Sequence, residues 1–262
     1  MSRPADIIDG GRLRGTPRTD RGAARRQLLM ELISGGSGAA LAVFMWGHMF
    51  FVASILLGTR GFDWIAYGME KVYIAQPTVV AIFALFLIHA AAAARKIPAQ
   101  LRERRRFTSL AKSLNKSHRA YLDSTVEPLP HHVESWLWIW QVRTGLIILV
   151  LGSFHLVLMA LDIFTGLFGE RVGIEAITSM DRTAAGLVWA YAVLLVCVEF
   201  HAGVGLFRLA VKWGIGSRIS RARLWKAEKI LFWFFLGLGA LVLIVLAGLI
   251  PPPLAFLLGG GS

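Results

Sequence analysis

Five apolar runs, each long enough to cross a lipid bilayer, take up most of this chain. They fall at about 31–58, 73–94, 136–168, 183–213 and 224–250. A helix needs about 20 apolar residues to span the hydrocarbon layer. Lipid offers no partner to an unpaired backbone group, so such runs must close their own hydrogen bonds as helices. Composition agrees: 56% of the 262 residues are hydrophobic, 17% are charged, and mean hydropathy is +0.60. The expectation is an all-α, integral membrane five-helix protein.

The net charge of +12 is distributed unevenly. Seven arginines, Arg3 to Arg26, precede the first run. Nine Lys/Arg, Arg95 to Arg119, separate runs two and three, and seven, Arg208 to Lys229, bracket the turn between runs four and five. The other two loops hold only Arg60, Lys71, Arg171 and Arg182. This alternation follows the positive-inside rule. It places the N-terminus and loops 2–3 and 4–5 in the cytoplasm, with the C-terminus outside. The pattern points to a lipid bilayer and excludes nucleic acid as the partner of the basic residues. Residues 1–30 read as a cytoplasmic tail, 31–250 as the membrane domain and 251–262 as an outer tail. Met1–Arg26 lacks the apolar core of a cleaved signal peptide. Cys197, the single cysteine, leaves no thiolate set for an iron–sulfur cluster or structural zinc.

Each of the first four runs carries one histidine: His48, His89, His155 and His201. A polar side chain at membrane depth is costly and needs a partner or a task. At 1.5 Å per residue, His48 and His155 lie about 27 and 28 Å from the cytoplasmic ends of their spans, His89 about 10 Å and His201 about 16 Å. The four therefore sort into an outer and an inner level. Two imidazoles facing each other at one depth are what a six-coordinate haem iron requires. Gly47, Gly152, Gly203, Gly205 and Ala90–Ala94 leave room for a flat porphyrin. Read from the residues alone, three assignments stay open: two haems, structural or proton-relaying histidines, and another metal. The split in depth disfavours one ion shared by all four.

Three stretches carry a family resemblance. They are Phe44-Met45-Trp46-Gly47-His48-Met49-Phe50-Phe51-Val52, Ser153-Phe154-His155-Leu156, and the segment Val198-Glu199-Phe200-His201-Ala202-Gly203-Val204-Gly205 running on to Gly214. With His89-Ala90 followed by Arg95-Lys96-Ile97-Pro98, they resemble the dihaem cytochrome b subunit of fumarate reductase/succinate dehydrogenase, of the type with a single five-helix membrane subunit. The resemblance runs from span one to span five. It implies a four-helix dihaem-binding bundle with one haem b on His89 and His201 at the inner level. The second would be held by His48 and His155 at the outer level. It also implies menaquinone or menaquinol as substrate. The partners would be an iron–sulfur subunit and an FAD-bearing dicarboxylate subunit, which hold the clusters and flavin, in a heterotrimer compatible with dimerisation. The location would be a bacterial inner membrane. Fumarate reduction and succinate oxidation use the same parts, so the sequence leaves the direction open. The rival functions are another dihaem respiratory cytochrome, of a hydrogenase or formate dehydrogenase, and a haem-free proton-coupled transporter.

Glu70, at the start of span two, reads by position as an interfacial acid. The resemblance implies a place in the outer quinone site, where a carboxylate can take a proton from quinol. Glu199, two residues before His201, reads either as a neutral acid hydrogen-bonded in the bundle or, from the resemblance, as a proton relay. Lys212, Trp138, Ser34 and Arg95 are candidates to meet haem propionates at the inner level. His118, His131 and His132 fall in the cytoplasmic segment and read as solvent- or subunit-facing.

Overall fold

The computed structural model describes residues 8–9, 12–13, 21–98, 133–165, 167–169, 172–215 and 219–258, with isolated positions between 101 and 113. His118, His131 and His132, and most of the two terminal tails, lie outside the described residues. Two-residue strands β1 (Ile8–Asp9) and β2 (Arg12–Leu13) pair antiparallel, and everything else regular among the described residues is helical. Among the described residues, five segments are long and apolar enough to cross a membrane.

Helix α1 runs from Arg21 to Ala53 and ends in a single 3-10 turn at Ser54–Leu57. Its 33 residues give about 50 Å of rod. Gly58, at φ 93°, turns the chain into a short helix, α2 (Thr59–Lys71). From sequence alone this stretch reads as an outer loop. It folds because Gly61, Phe62 and Ala66 line one side and bury, while Arg60, Trp64 and Tyr67 face out. Tyr73, at φ 55°, reverses the chain into α3 (Ala75–Ala94). Pro77 is tolerated there because the first turn of a helix has no partner for its missing N–H.

Helix α4 spans Val133–Phe164. After it, the short helix α5 (Ala176–Arg182) joins α6 (Val188–Trp213) through a widened turn, Thr183–Leu187, broken at Gly186 with φ 109°. Gly214, in the left-handed region, caps α6. Ser220 opens α7 (Arg221–Leu246) by accepting a hydrogen bond from the Arg223 amide at 3.3 Å.

Helices α1, α3, α4 and α6 form a bundle in which α1 packs on α3, α3 on α4, and α4 on α6, with α6 returning to α1. Helix α7 lies outside this ring, against α6 and α1. The tightest apolar packing is at one end. There Ile55, Leu56, Phe62, Ala66 and Ala176 meet Val242, Val245 and Leu246 in a cap. The Leu254 amide donates to the Leu56 carbonyl and pins the C-terminal strap to the same cap. Elsewhere large apolar side chains point outward, as lipid-facing helices require: Val150 is 68% exposed and Trp189 77%. Inside the ring the helices line a cavity of about 740 Å³ rather than closing on one another.

Candidate functional site

The cavity runs from a basic rim to the apolar cap. Glu31, Lys96, Lys212 and Trp213 line the rim, and Met69, Ile74, Ile163 and Ile174 line the capped end. All four histidines line it between these limits. They meet in the two pairs that depth alone suggested. On the rim side, His89 from α3 faces His201 from α6 with ring centres 6.2 Å apart. On the cap side, His48 from α1 faces His155 from α4 with ring centres 6.0 Å apart.

These separations test whether a haem fits. A metal–imidazole bond of about 2.0–2.1 Å, with the ring centre about 1.1 Å beyond, sets two axial rings about 6.2–6.4 Å apart. Both pairs lie close to that value. Among the described residues no three of His, Cys, Asp or Glu converge, so the donor set is two separate imidazole pairs, unlike a tetrahedral metal centre.

The rim-side rings are fixed by hydrogen bonds. His201 Nδ1 lies 2.8 Å from the Gln141 carbonyl. His89 Nδ1 lies 3.2 Å from the Ser34 carbonyl and 3.2 Å from Ser37 Oγ. Carbonyl oxygens only accept, so both Nδ1 atoms donate, which leaves the lone pair on Nε2 for a metal. Ser37 gives its own proton to the Ile33 carbonyl at 2.6 Å and can accept from His89. The cap-side rings are set differently. His48 stacks on Phe44 at 5.7 Å and 16°, and His155 meets Tyr191 edge-on at 5.5 Å. His155 Nδ1 is buried with no hydrogen-bond partner among the described residues.

At the rim, Lys96 and Lys212 both pair with Glu31, Lys96 at 2.9 Å. Trp138 and Ser34 also line the cavity. Arg95 is exposed and off the lining; the next residue, Lys96, takes that direction instead. Sequence reading passed over Glu31, Lys96, Gln141 and Arg208. The signal for Glu31 is a lone acid at the mouth of span one, five residues past Arg25-Arg26. Arg208 Nη1 donates to Gln141 Oε1 at 2.7 Å, on the residue whose carbonyl receives His201. Gly47, Gly152 and Gly205 line the cavity. Gly203 does not: a side chain there would run into Glu228 of α7.

Glu70 is half-buried at the capped end, where its Oε1 accepts from the Ile174 amide at 3.0 Å. Its neighbour Met69 and its partner Ile174 both line the cavity. Gly173, at φ 127°, passes so close to the carboxylate that an added Cβ would stand 2.1 Å from Oε1. Seven residues earlier on α2, Asp63 Oδ1 accepts from the Ala176 amide at 2.7 Å. Deeper in the cap, Arg182 pairs with the buried Asp162 and bonds Ser179. Glu199 is buried, 4% exposed, but Val198 and His201 rather than Glu199 line the cavity. One turn either side on its face, Leu195 lies against Gly239 and Gly203 against Glu228. Glu199 therefore sits at the α6–α7 seam.

This arrangement defines a class: a multi-pass helical membrane protein whose bundle encloses two stacked pairs of facing histidines. Residues 124–248 match the succinate dehydrogenase/fumarate reductase transmembrane subunit family. The chain is 33% identical to the fumarate reductase cytochrome b subunit of Wolinella succinogenes over 85% of its own length and 82% of that protein's. It is 30% identical to the subunit of the same name from Helicobacter pylori, over 80% of this chain and 76% of the relative. The chain belongs to the succinate dehydrogenase/fumarate reductase transmembrane subunit family.

Proposed function

We propose that this protein anchors a fumarate reductase/succinate dehydrogenase complex in the membrane and carries electrons between menaquinone and the partner iron–sulfur subunit through two b haems. The observation that carries the reading is the pair of imidazole facings at 6.2 and 6.0 Å in one continuous cavity. Haem b supplies a one-electron carrier that no side chain of this protein provides. His89 and His201 would hold one haem towards the basic rim, and His48 and His155 the other towards the cap. Lys96 and Lys212 stand where cationic partners for propionates are needed, and Trp138 lines the same cavity.

The charge distribution along the chain supports a cytoplasmic rim and an outward cap, in a bacterial inner membrane. The rim then faces the iron–sulfur and FAD-bearing subunits, and dicarboxylate chemistry belongs to the latter. At the cap, Glu70 takes a proton from menaquinol. The Ile174 amide orients its carboxylate beside the cavity end that Met69 and Ile174 line. Glu199, at the α6–α7 seam, relays a proton through the membrane to compensate the charge of electron transfer.

The test is haem quantitation on the purified complex with menaquinol–fumarate and succinate–menaquinone assays. Two b haems per chain and both activities are expected. A reduced-minus-oxidised spectrum without b-type absorbance would sink the reading. Glu70→Gln is expected to lose menaquinol turnover with both haems intact, and normal turnover would remove Glu70 from the site. Glu199→Gln is expected to alter the dependence of turnover on membrane potential, and an unchanged dependence would remove the relay.

A further inference from the structure

We propose that Gly38 and Gly145 are positioning residues for the rim-side histidines. Each would let one imidazole set its Nδ1–Cε1 edge against the neighbouring helix and donate Nδ1–H to the carbonyl four residues earlier. The inference rests on reading His89 and His201 as haem ligands and extends it to what seats them.

The same geometry occurs twice. A Cβ on Gly38 would stand 2.8 Å from His89 Cε1 and 3.2 Å from its Nδ1. A Cβ on Gly145 would stand 2.8 Å from His201 Cε1 and 3.2 Å from its Nδ1. The acceptors, Ser34 and Gln141, each precede their glycine by four residues. Residues four apart share a helix face, so one missing side chain opens the surface and uncovers the carbonyl beneath. That carbonyl keeps a second lone pair beyond its helical bond. The duplication continues along the same helices. His48 follows Gly38 by ten residues and His155 follows Gly145 by ten, about 15 Å of rise in each case. Helices α1 and α4 each cradle one rim-side histidine and supply one cap-side histidine.

The cavity's other glycines do not do this. A Cβ on Gly47 would meet nothing within 4 Å, and one on Gly152 would meet Ile148 and Phe86. At Gly38 and Gly145 the obstacle is a ring already tied by its hydrogen bond, so it cannot swing away as the end of a flexible chain would. The bond also has an electronic consequence. An imidazole donating from Nδ1 is a more basic ligand at Nε2, which favours the oxidised metal. Ser37 shares this role for His89 as the second acceptor.

The experiment uses the full complex in membranes, with haem content and a redox titration followed by electron paramagnetic resonance. Gly38→Ala and Gly145→Ala are each expected to cut bound haem from two per chain to one, the survivor keeping its wild-type midpoint. Gly36→Ala, on the same helix but off the cavity lining and with nothing within 4 Å of an added Cβ, is expected to keep both haems with both midpoints unmoved. Ser37→Ala is expected to keep both haems and move one midpoint, and that haem's resonance signal alone, with the midpoint shifting to more positive potential. Two haems with unmoved midpoints in the Gly38, Gly145 and Ser37 variants would overturn the inference. If the glycine variants fail to accumulate, Ser37→Ala decides alone: an unmoved midpoint overturns it. A wild-type complex lacking b haem would overturn the ligand reading itself, which is a separable result.

Discussion

The two histidine pairs share a cavity and nearly the same ring spacing, yet they are held by different physics. On the rim side, His89 and His201 are oriented by hydrogen bonds to helix carbonyls, with a ring of charge at the mouth from Glu31, Lys96 and Lys212. On the cap side, His48 and His155 are oriented by aromatic neighbours: Phe44 stacked on one, Tyr191 edge-on to the other. Hydrogen bonds fix which nitrogen is protonated, whereas packing fixes only the plane of the ring. The rim-side pair is thus specified in protonation and orientation, and the cap-side pair mainly in orientation.

The largest expected effect separates the pairs outright. His155→Ala should remove the cap-side haem and leave one haem per chain, and His201→Ala should do the reverse. Pyridine haemochrome content with a redox titration of the survivor distinguishes the two. If either change removes both haems, the sites are not independent. Next, Phe44→Leu should loosen the cap-side haem alone, since a ring stack contributes about 0.5–1.5 kcal/mol beyond burial. Thermal release of haem, followed by the loss of one of two spectral components, reads this out. A smaller effect is expected from Lys96→Met. Removing one cation at the rim should make the rim-side haem harder to reduce by on the order of 1 kcal/mol at an effective dielectric near 20, about 40 mV for one electron. The cap-side midpoint should stay put. Least of all, Arg95→Ala should move neither midpoint, because that side chain is exposed and off the cavity. Equal shifts from Arg95 and Lys96 would erase the distinction between them.

How much of this was legible in the sequence follows from what a sequence encodes about a helix. Depth is readable, since the rise per residue is constant and the apolar runs mark both ends. The pairing of His89 with His201 and of His48 with His155 therefore came from counting. Azimuth is harder, because it needs the rotational phase of each helix against its neighbours. That is why Arg95 and Lys96 could not be told apart, although a step of about 100° separates them. It is also why Gly203 read as a cavity residue when it faces Glu228. Ser34 was picked out for its position near the rim. It is the Ser34 carbonyl, not its side chain, that meets His89. The small residues of span one, Gly35-Gly36-Ser37-Gly38, suggested close packing without showing that Gly38 receives an imidazole while Gly35 lies against Leu209. Helix α2 was missed because amphipathic helices of 13 residues fall below any spanning length, and only its contact with the cap makes it fold.

The break at Gly186 bears on how the two ends of the cavity relate. Segment Ala176–Trp213 is one membrane crossing made of two rods with separate axes. The short rod belongs to the cap: Asp63 holds its first amide, and Asp162 holds Arg182 at its far end. The long rod belongs to the bundle, anchored where His201 meets Gln141. A straight crossing would act as a lever, carrying any tilt at the Glu70 end through to His201 at the opposite end of the cavity. With φ at 109°, Gly186 supplies an articulation that most side chains would forbid, so the cap can take its own alignment without turning His201 out of register.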